Sequence, residues 1–159
     1  MKIVVFGHQN WLIKGLETLN SLKCDVLHVF THPLDMDKNE KVWYSSAVSL
    51  CNKLSIPVSE RKKIIPEDIE LIKKINPDLI LSLGWRRLIP KIIFTLPKLG
   101  TINIHDSLLP KYRGFAPINW SVINGEKESG ITAHYIDDNI DTGNILLQKK
   151  VSIDPNDTA

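Results

Sequence analysis

Residues 78–83, DLILSL, constrain the fold more than any other stretch, because the run is short and apolar at positions that a strand would point to opposite faces. Such a strand must be covered on both sides, which in water means a parallel sheet with helices packed on each face. The rest of the chain supplies suitable neighbours. Residues 2–7 (KIVVFG) form a β-branched run ending in glycine, and Leu12, Leu16 and Leu19 follow at helical spacing. Residues 24–30 (CDVLHVF) read as a second buried strand, residues 42–54 restore helical periodicity, and residues 56–58 form a short apolar run. Pro66 suits the first position of a helix, and Glu67, Asp68 and Glu70 place negative charge at the positive end of its dipole. That helix is predicted to run to about Ile75, where Asn76 and Pro77 stop it, and residues 101–105 (TINIH) make a further short strand. From Gly130 the pattern changes: residues 131–136 and 145–151 are β-rich runs flanking the polar stretch DDNIDTG, and they pair naturally as an antiparallel appendage. The predicted class is α/β, a Rossmann-like, doubly wound and mostly parallel sheet with an antiparallel strand appendage.

Composition narrows the partners. With 159 residues, 43% hydrophobic and 24% charged, one core and one domain over residues 1–159 are expected. Lys and Arg total 20 against 18 for Asp and Glu, so a net charge of +2 offers no broad electrostatic footprint for nucleic acid or membrane. Cys24 and Cys51 lack metal or redox spacing, which points to a reducing, cytoplasmic setting. No stretch approaches the roughly 20 apolar residues of a membrane span, and the N-terminal apolar run is too short for a signal-peptide core. At the C-terminal end, Asp154, Pro155, Asn156 and Asp157 suit the start of another helix, as expected of a domain truncated there.

Several motifs fall short of the chemistry they suggest. GHQNWLIKG lacks the GxGxxG spacing of a dinucleotide site, and GWRR lacks the P-loop pattern. His28 and His32 lie in a predicted strand and its exit, about 13 Å apart, and read as structural histidines rather than zinc ligands. Asp137, Asn139 and Asp141 mimic a calcium loop, but Thr142 and Gln148 stand where glycine and a bidentate glutamate belong. Trp11, Trp43, Trp85 and Trp120 are read as packing residues.

The informative segment is NIHDSLLPKYRG, residues 103–114. Strand alternation points Asn103 and His105 to one side, at the strand end where open α/β sheets bind ligands. A satisfied polar strand end is the competing explanation. The loop DDNIDTGN can bring Asp141 toward His105, and the three then form an acid and base site able to stabilise an oxyanion. With no serine or cysteine clearly placed as a nucleophile, the grouping suits acyl transfer to an external amine.

Taken together, NIH at 103–105, SLLPKYRG at 107–114, APINW at 116–120, INGEKESGIT at 123–132 and DTG at 141–143 resemble the formyltransferase domain family. Its members use 10-formyltetrahydrofolate and include methionyl-tRNA, glycinamide ribonucleotide and nucleotide-sugar formyltransferases. The resemblance implies the formyltransferase fold and a catalytic set of Asn103, His105 and Asp141, with no metal required. It places the folate pterin between Arg87, Leu88 and Ile89 on one side and Asp138, Asn139 and Ile140 on the other. Ser107, Tyr112 and Arg113 would line the substrate channel, although Tyr112 and Arg113 equally suit a role in shaping the loop. The implied reaction is attack of a neutral amine on the formyl carbon through a tetrahedral intermediate, with His105 managing the proton transfer.

The acceptor is read by difference. In the tRNA-specific members a basic loop follows the second strand, whereas here Asp35, Asp37 and Glu40 outweigh Lys38 and Lys41. Residues 30–46, and Trp85 through Ile89, look more like nucleotide-sugar formyltransferases. The expected acceptor is therefore a nucleotide-linked amino sugar used in bacterial surface polysaccharide. Methionyl-tRNA is the alternative, and a formyltetrahydrofolate hydrolase, folate-binding module or noncatalytic interaction module stands behind both. A homodimer would form through regions beyond Ala159.

Overall fold

The computed structural model describes residues 1–34 and 46–158. The expectations for the charged segment at 35–41, for Trp43 and for the start of the helix at 42–54 lie outside the described residues. Two compact units divide the chain, Met1–Thr101 and Ile102–Ala159.

In the first unit β1 (Lys2–Gly7), α1 (Gln9–Ser21), β2 (Asp25–Thr31), α2 (Ala47–Lys53), β3 (Val58–Glu60), α3 (Pro66–Ile75), β4 (Leu79–Leu83) and α4 (Lys91–Phe94) follow in sequence. The strands lie in the order β3-β2-β1-β4, all parallel, as the doubly apolar runs require. Val4, Val5 and Phe6 of β1 and Ile80 of β4 are fully buried, with Leu12 and Leu16 of α1 buried alongside them. Phe6 and Phe30, paired across β1 and β2, stack with ring centroids 4.7 Å apart.

Two strands begin later than their sequence patterns suggest, for one reason. Lys23 and Ser55 adopt left-handed conformations at the ends of α1 and α2. The amides that follow, Cys24 N–H and Ile56 N–H, donate back to Leu19 and Cys51 carbonyls that the helices leave open. Cys24 and Ile56 are thereby taken into helix caps, and β2 and β3 start beyond them. In α3 the expected signals all act: Pro66 stands in the first turn, Asn76 ends the helix at φ 49°, and buried Asp68 accepts from Ile65 N–H at 3.1 Å.

The second unit carries β5 (Thr101–His105), α5 (Pro117–Ile123), β6 (Glu128–Tyr135) and β7 (Ile145–Ser152). The strands follow the order β5-β6-β7, and both pairings are antiparallel. The hairpin of the last two strands matches the expected appendage but starts earlier, because Glu128 and Ser129 already pair with Ser152 and Val151. The strand expected at residues 101–105 is present as β5, and the antiparallel part of the chain begins with its pairing to β6. The α/β class and the division into parallel and antiparallel parts stand as expected. Among the described residues, no helix is long and apolar enough to cross a membrane.

Candidate active site

Asn103 and His105 occupy alternate positions of β5, and the register sets them opposite His134 and Thr132 of β6. Alternation puts all four on one face of the pair. Asp141 is brought to that face by the β6–β7 loop, which two devices hold in shape. Thr142 donates its hydroxyl to Asp137, 2.7 Å from Oδ1, holding that half-buried carboxylate below its usual pKa range. Gly143 passes so close to the Tyr135 carbonyl that a Cβ would collide with it.

The result is one hydrogen-bonded cluster. Asp141 Oδ2 accepts from the Gly114 amide at 2.9 Å and lies 3.5 Å from His105 Nδ1. Asp141 Oδ1 lies 3.4 Å from both Asn103 Nδ2 and His134 Nε2. His105 Nε2 is 2.8 Å from the Tyr112 carbonyl, so the ring has an acceptor at each nitrogen and its doubly protonated form is fully partnered. Burial alone would push the Asp141 carboxyl up. In the acid range where this carboxyl takes up its proton and the imidazoles carry charge, hydrogen bonding from His134 and the Gly114 amide, with the charge of both rings, outweighs burial and leaves its pKa below the ordinary carboxylate value.

The loop after β5 is built to hold the Tyr112 carbonyl in place. Ser107 is wholly buried, and its hydroxyl donates to the Lys111 carbonyl at 2.6 Å. Thr132 donates to the Ser107 carbonyl and accepts from Leu109 N–H and from Gln148 Nε2. Tyr112 adopts φ 58°, and its phenol donates to Glu126 at 2.8 Å while accepting from Asn124. The side chains of Ser107 and Tyr112 thus shape the loop. Arg113 is exposed, and its positive charge acts on Asp137.

Of the residues linked to the pterin, Arg87, Leu88 and Ile89 follow β4 in the first unit; Leu88 is 80% exposed and Ile89 is buried. Asp138, Asn139 and Ile140 belong to the second unit, with Ile140 57% exposed. Trp85, just ahead of the first segment, stacks on His32 at 3.8 Å, consistent with packing. His32 Nδ1 donates to the Arg61 carbonyl at 2.7 Å, and Nε2 accepts from Arg86 N–H at 3.3 Å. His28 pairs with Ser59 at 3.0 Å, so these two histidines are structural. Among the described residues, no group of three His, Cys, Asp or Glu side chains is arranged to hold a metal ion.

His134 is the member of the cluster that the sequence reading missed. The available signal was the alternation of Thr132 and His134 in the strand facing Asn103 and His105, but the register that opposes them is a tertiary fact.

A carboxylate, an imidazole and an amide partnered on one antiparallel strand pair make an arrangement that can serve acyl transfer. Comparison with known proteins makes the class specific. The sequence profile described as Formyl transferase matches residues 1–159 in full, and the chain belongs to that family. It is 42% identical to methionyl-tRNA formyltransferase of Pelotomaculum thermopropionicum, an alignment covering 100% of this chain and 51% of that protein. It is 41% identical to the bifunctional polymyxin resistance protein ArnA of Wigglesworthia glossinidia brevipalpis, covering 100% of this chain and 24% of ArnA. The crystal structure of phosphoribosylglycinamide formyltransferase from Bacillus halodurans superposes with a TM-score of 0.81 at 25% identity, covering 99% of this chain and 83% of that one. The chain spans about half the length of the methionyl-tRNA formyltransferases it matches.

Proposed function

We propose that the protein transfers the formyl group of 10-formyltetrahydrofolate to a primary amine. The observation that carries this reading is the cluster of Asn103, His105 and Asp141, in which the imidazole is partnered by a carbonyl and a carboxylate rather than by a serine or cysteine. An acyl group handled by such a site passes directly to an external nucleophile. The attacking amine nitrogen forms its bond to the formyl carbon as the carbonyl electrons move to oxygen. Asn103 N–H donates to that oxygen and the positive charge of the protonated His105 ring stabilises it, with Asp141 supporting the charge on the ring. A proton passes from the attacking nitrogen to the departing folate nitrogen, whose bond to the formyl carbon breaks; His105 manages this transfer. Of the segments that the family resemblance links to the pterin, each carries an exposed apolar side chain suited to such a ligand, Leu88 in one and Ile140 in the other. Arg113, exposed beside the loop, is assigned to the acceptor side, whereas Ser107 and Tyr112 serve that channel through the loop they hold.

For the acceptor, the first reading is a nucleotide-linked amino sugar. The net charge of +2 and the excess of acidic over basic residues between 35 and 41 support a small acceptor over a polyanion. The second reading, methionyl-tRNA, is favoured by the methionyl-tRNA formyltransferases of Pelotomaculum thermopropionicum and Clostridioides difficile, at 42% and 40% identity. Turnover of 10-formyltetrahydrofolate with UDP-linked and dTDP-linked amino sugars, set against initiator methionyl-tRNA, separates the two. Formate release with no acceptor present would identify a hydrolase instead.

A further inference from the structure

His134 is 1% exposed and too deep to meet a substrate, yet it is built into the cluster. Its Nδ1 lies 2.9 Å from the Tyr135 carbonyl and therefore carries a proton, which leaves Nε2 of the neutral ring as a bare acceptor. That nitrogen stands 3.3 Å from Asn103 Nδ2, and Asp141 Oδ1 stands 3.4 Å from each of them. The three atoms make a near-equilateral triangle, so the two acceptors subtend about 60° at the amide nitrogen, half of the roughly 120° between the two N–H bonds of a planar amide. One N–H is shared between both acceptors, and the other points out of the triangle. Turning the amide over would set its oxygen against a lone pair and a carboxylate, so the orientation is decided by the network.

We propose, building on the formyltransferase reading, that His134 is a positioning residue: its Nε2 lone pair fixes the Asn103 amide so that the second N–H is presented to the oxyanion. The ring itself is anchored by backbone at its far side and acts only through Asn103.

The test compares His134→Leu, which fills the space without an acceptor, with His134→Gln, which returns a carbonyl oxygen. His134→Leu is expected to lower kcat about tenfold with KM for 10-formyltetrahydrofolate within about twofold, and His134→Gln to recover most of the loss. In an Asn103→Ala background, His134→Leu is expected to cost nothing further. Normal kcat in His134→Leu, equal losses in the Leu and Gln variants, or the same loss with and without Asn103 would each overturn the proposal. A wild-type protein that transfers no formyl group rejects the formyltransferase reading separately. The positioning is then decided by NMR of the Asn103 side-chain amide, whose two proton resonances should be well separated in the wild type and converge in His134→Leu; unchanged resonances overturn it.

Discussion

Asp141 stands at φ 51°, in the left-handed region where a residue with a Cβ is uncommon, and from there one carboxylate reaches His105, His134, Asn103 and the Gly114 amide. Strain of that kind persists where the surroundings over-determine it. Replacing either Asp141 or His105 with alanine should lower kcat by roughly 10²- to 10⁴-fold, the range typical of losing a general acid–base or oxyanion group, while circular dichroism stays native. Activity within tenfold of wild type in both variants would remove them from the mechanism. Because the Asp141 pKa is lowered in the folded protein, the stability it contributes is present above the ordinary carboxylate value near 3.8 and lost as pH falls through the folded pKa. Asp141→Asn should therefore flatten the acid limb of the stability curve.

At the scale of elements, caps and loop clamps decide where the chain turns. Asp68 joins the first turn of α3 to Arg61, whose Nε lies 3.0 Å from its carboxylate, so Asp68→Ala should cost about 1–2 kcal/mol in urea unfolding. Gly143→Ala should abolish activity by displacing the loop that carries Asp141, since the new methyl has only the Tyr135 carbonyl to meet. Retention of activity would show that the loop tolerates a shift. His28 and His32 supply a pH-dependent term. Burial lowers both pKa values; for His28 the charge of Asp68 opposes the shift and Arg61 adds to it, while for His32 the Arg61 carbonyl opposes it and Arg86 and Arg87 add to it. The unfolded chain then binds more protons between each folded pKa and about 6.5, so stability is full above that window and falls as pH drops through it. A melting temperature that stays flat from pH 7 to 5 would contradict this. Much of this level was legible in the sequence: Pro66, Asp68 and Asn76 announced α3, and alternation placed Asn103 with His105. The late starts of β2 and β3 were not, because Cys24 and Ile56 look like strand residues and are diverted by helix caps that depend on left-handed turns. The part played by His134 was hidden for a different reason, since strand register across β5 and β6 is set by tertiary pairing.

For the whole molecule, sequence motifs, family membership and the clustered site all support the proposed formyl transfer, whereas the acceptor depends on surface chemistry that the shared motifs do not encode. SLLPKYRG illustrates why. Its hydrogen bonds hold the Tyr112 carbonyl against His105 and so support the proposed transfer step itself, which leaves the motif no information about which amine arrives. The measurement that bears most directly on the central claim is single-turnover transfer of isotope-labelled formyl from 10-formyltetrahydrofolate, followed with wild type and His105→Ala on nucleotide-linked amino sugars and methionyl-tRNA. Labelled N-formyl product with wild type, lost in His105→Ala, is the expected result. A folded wild-type protein that gives no labelled product with any amine, or a His105→Ala variant that turns over normally, would contradict it.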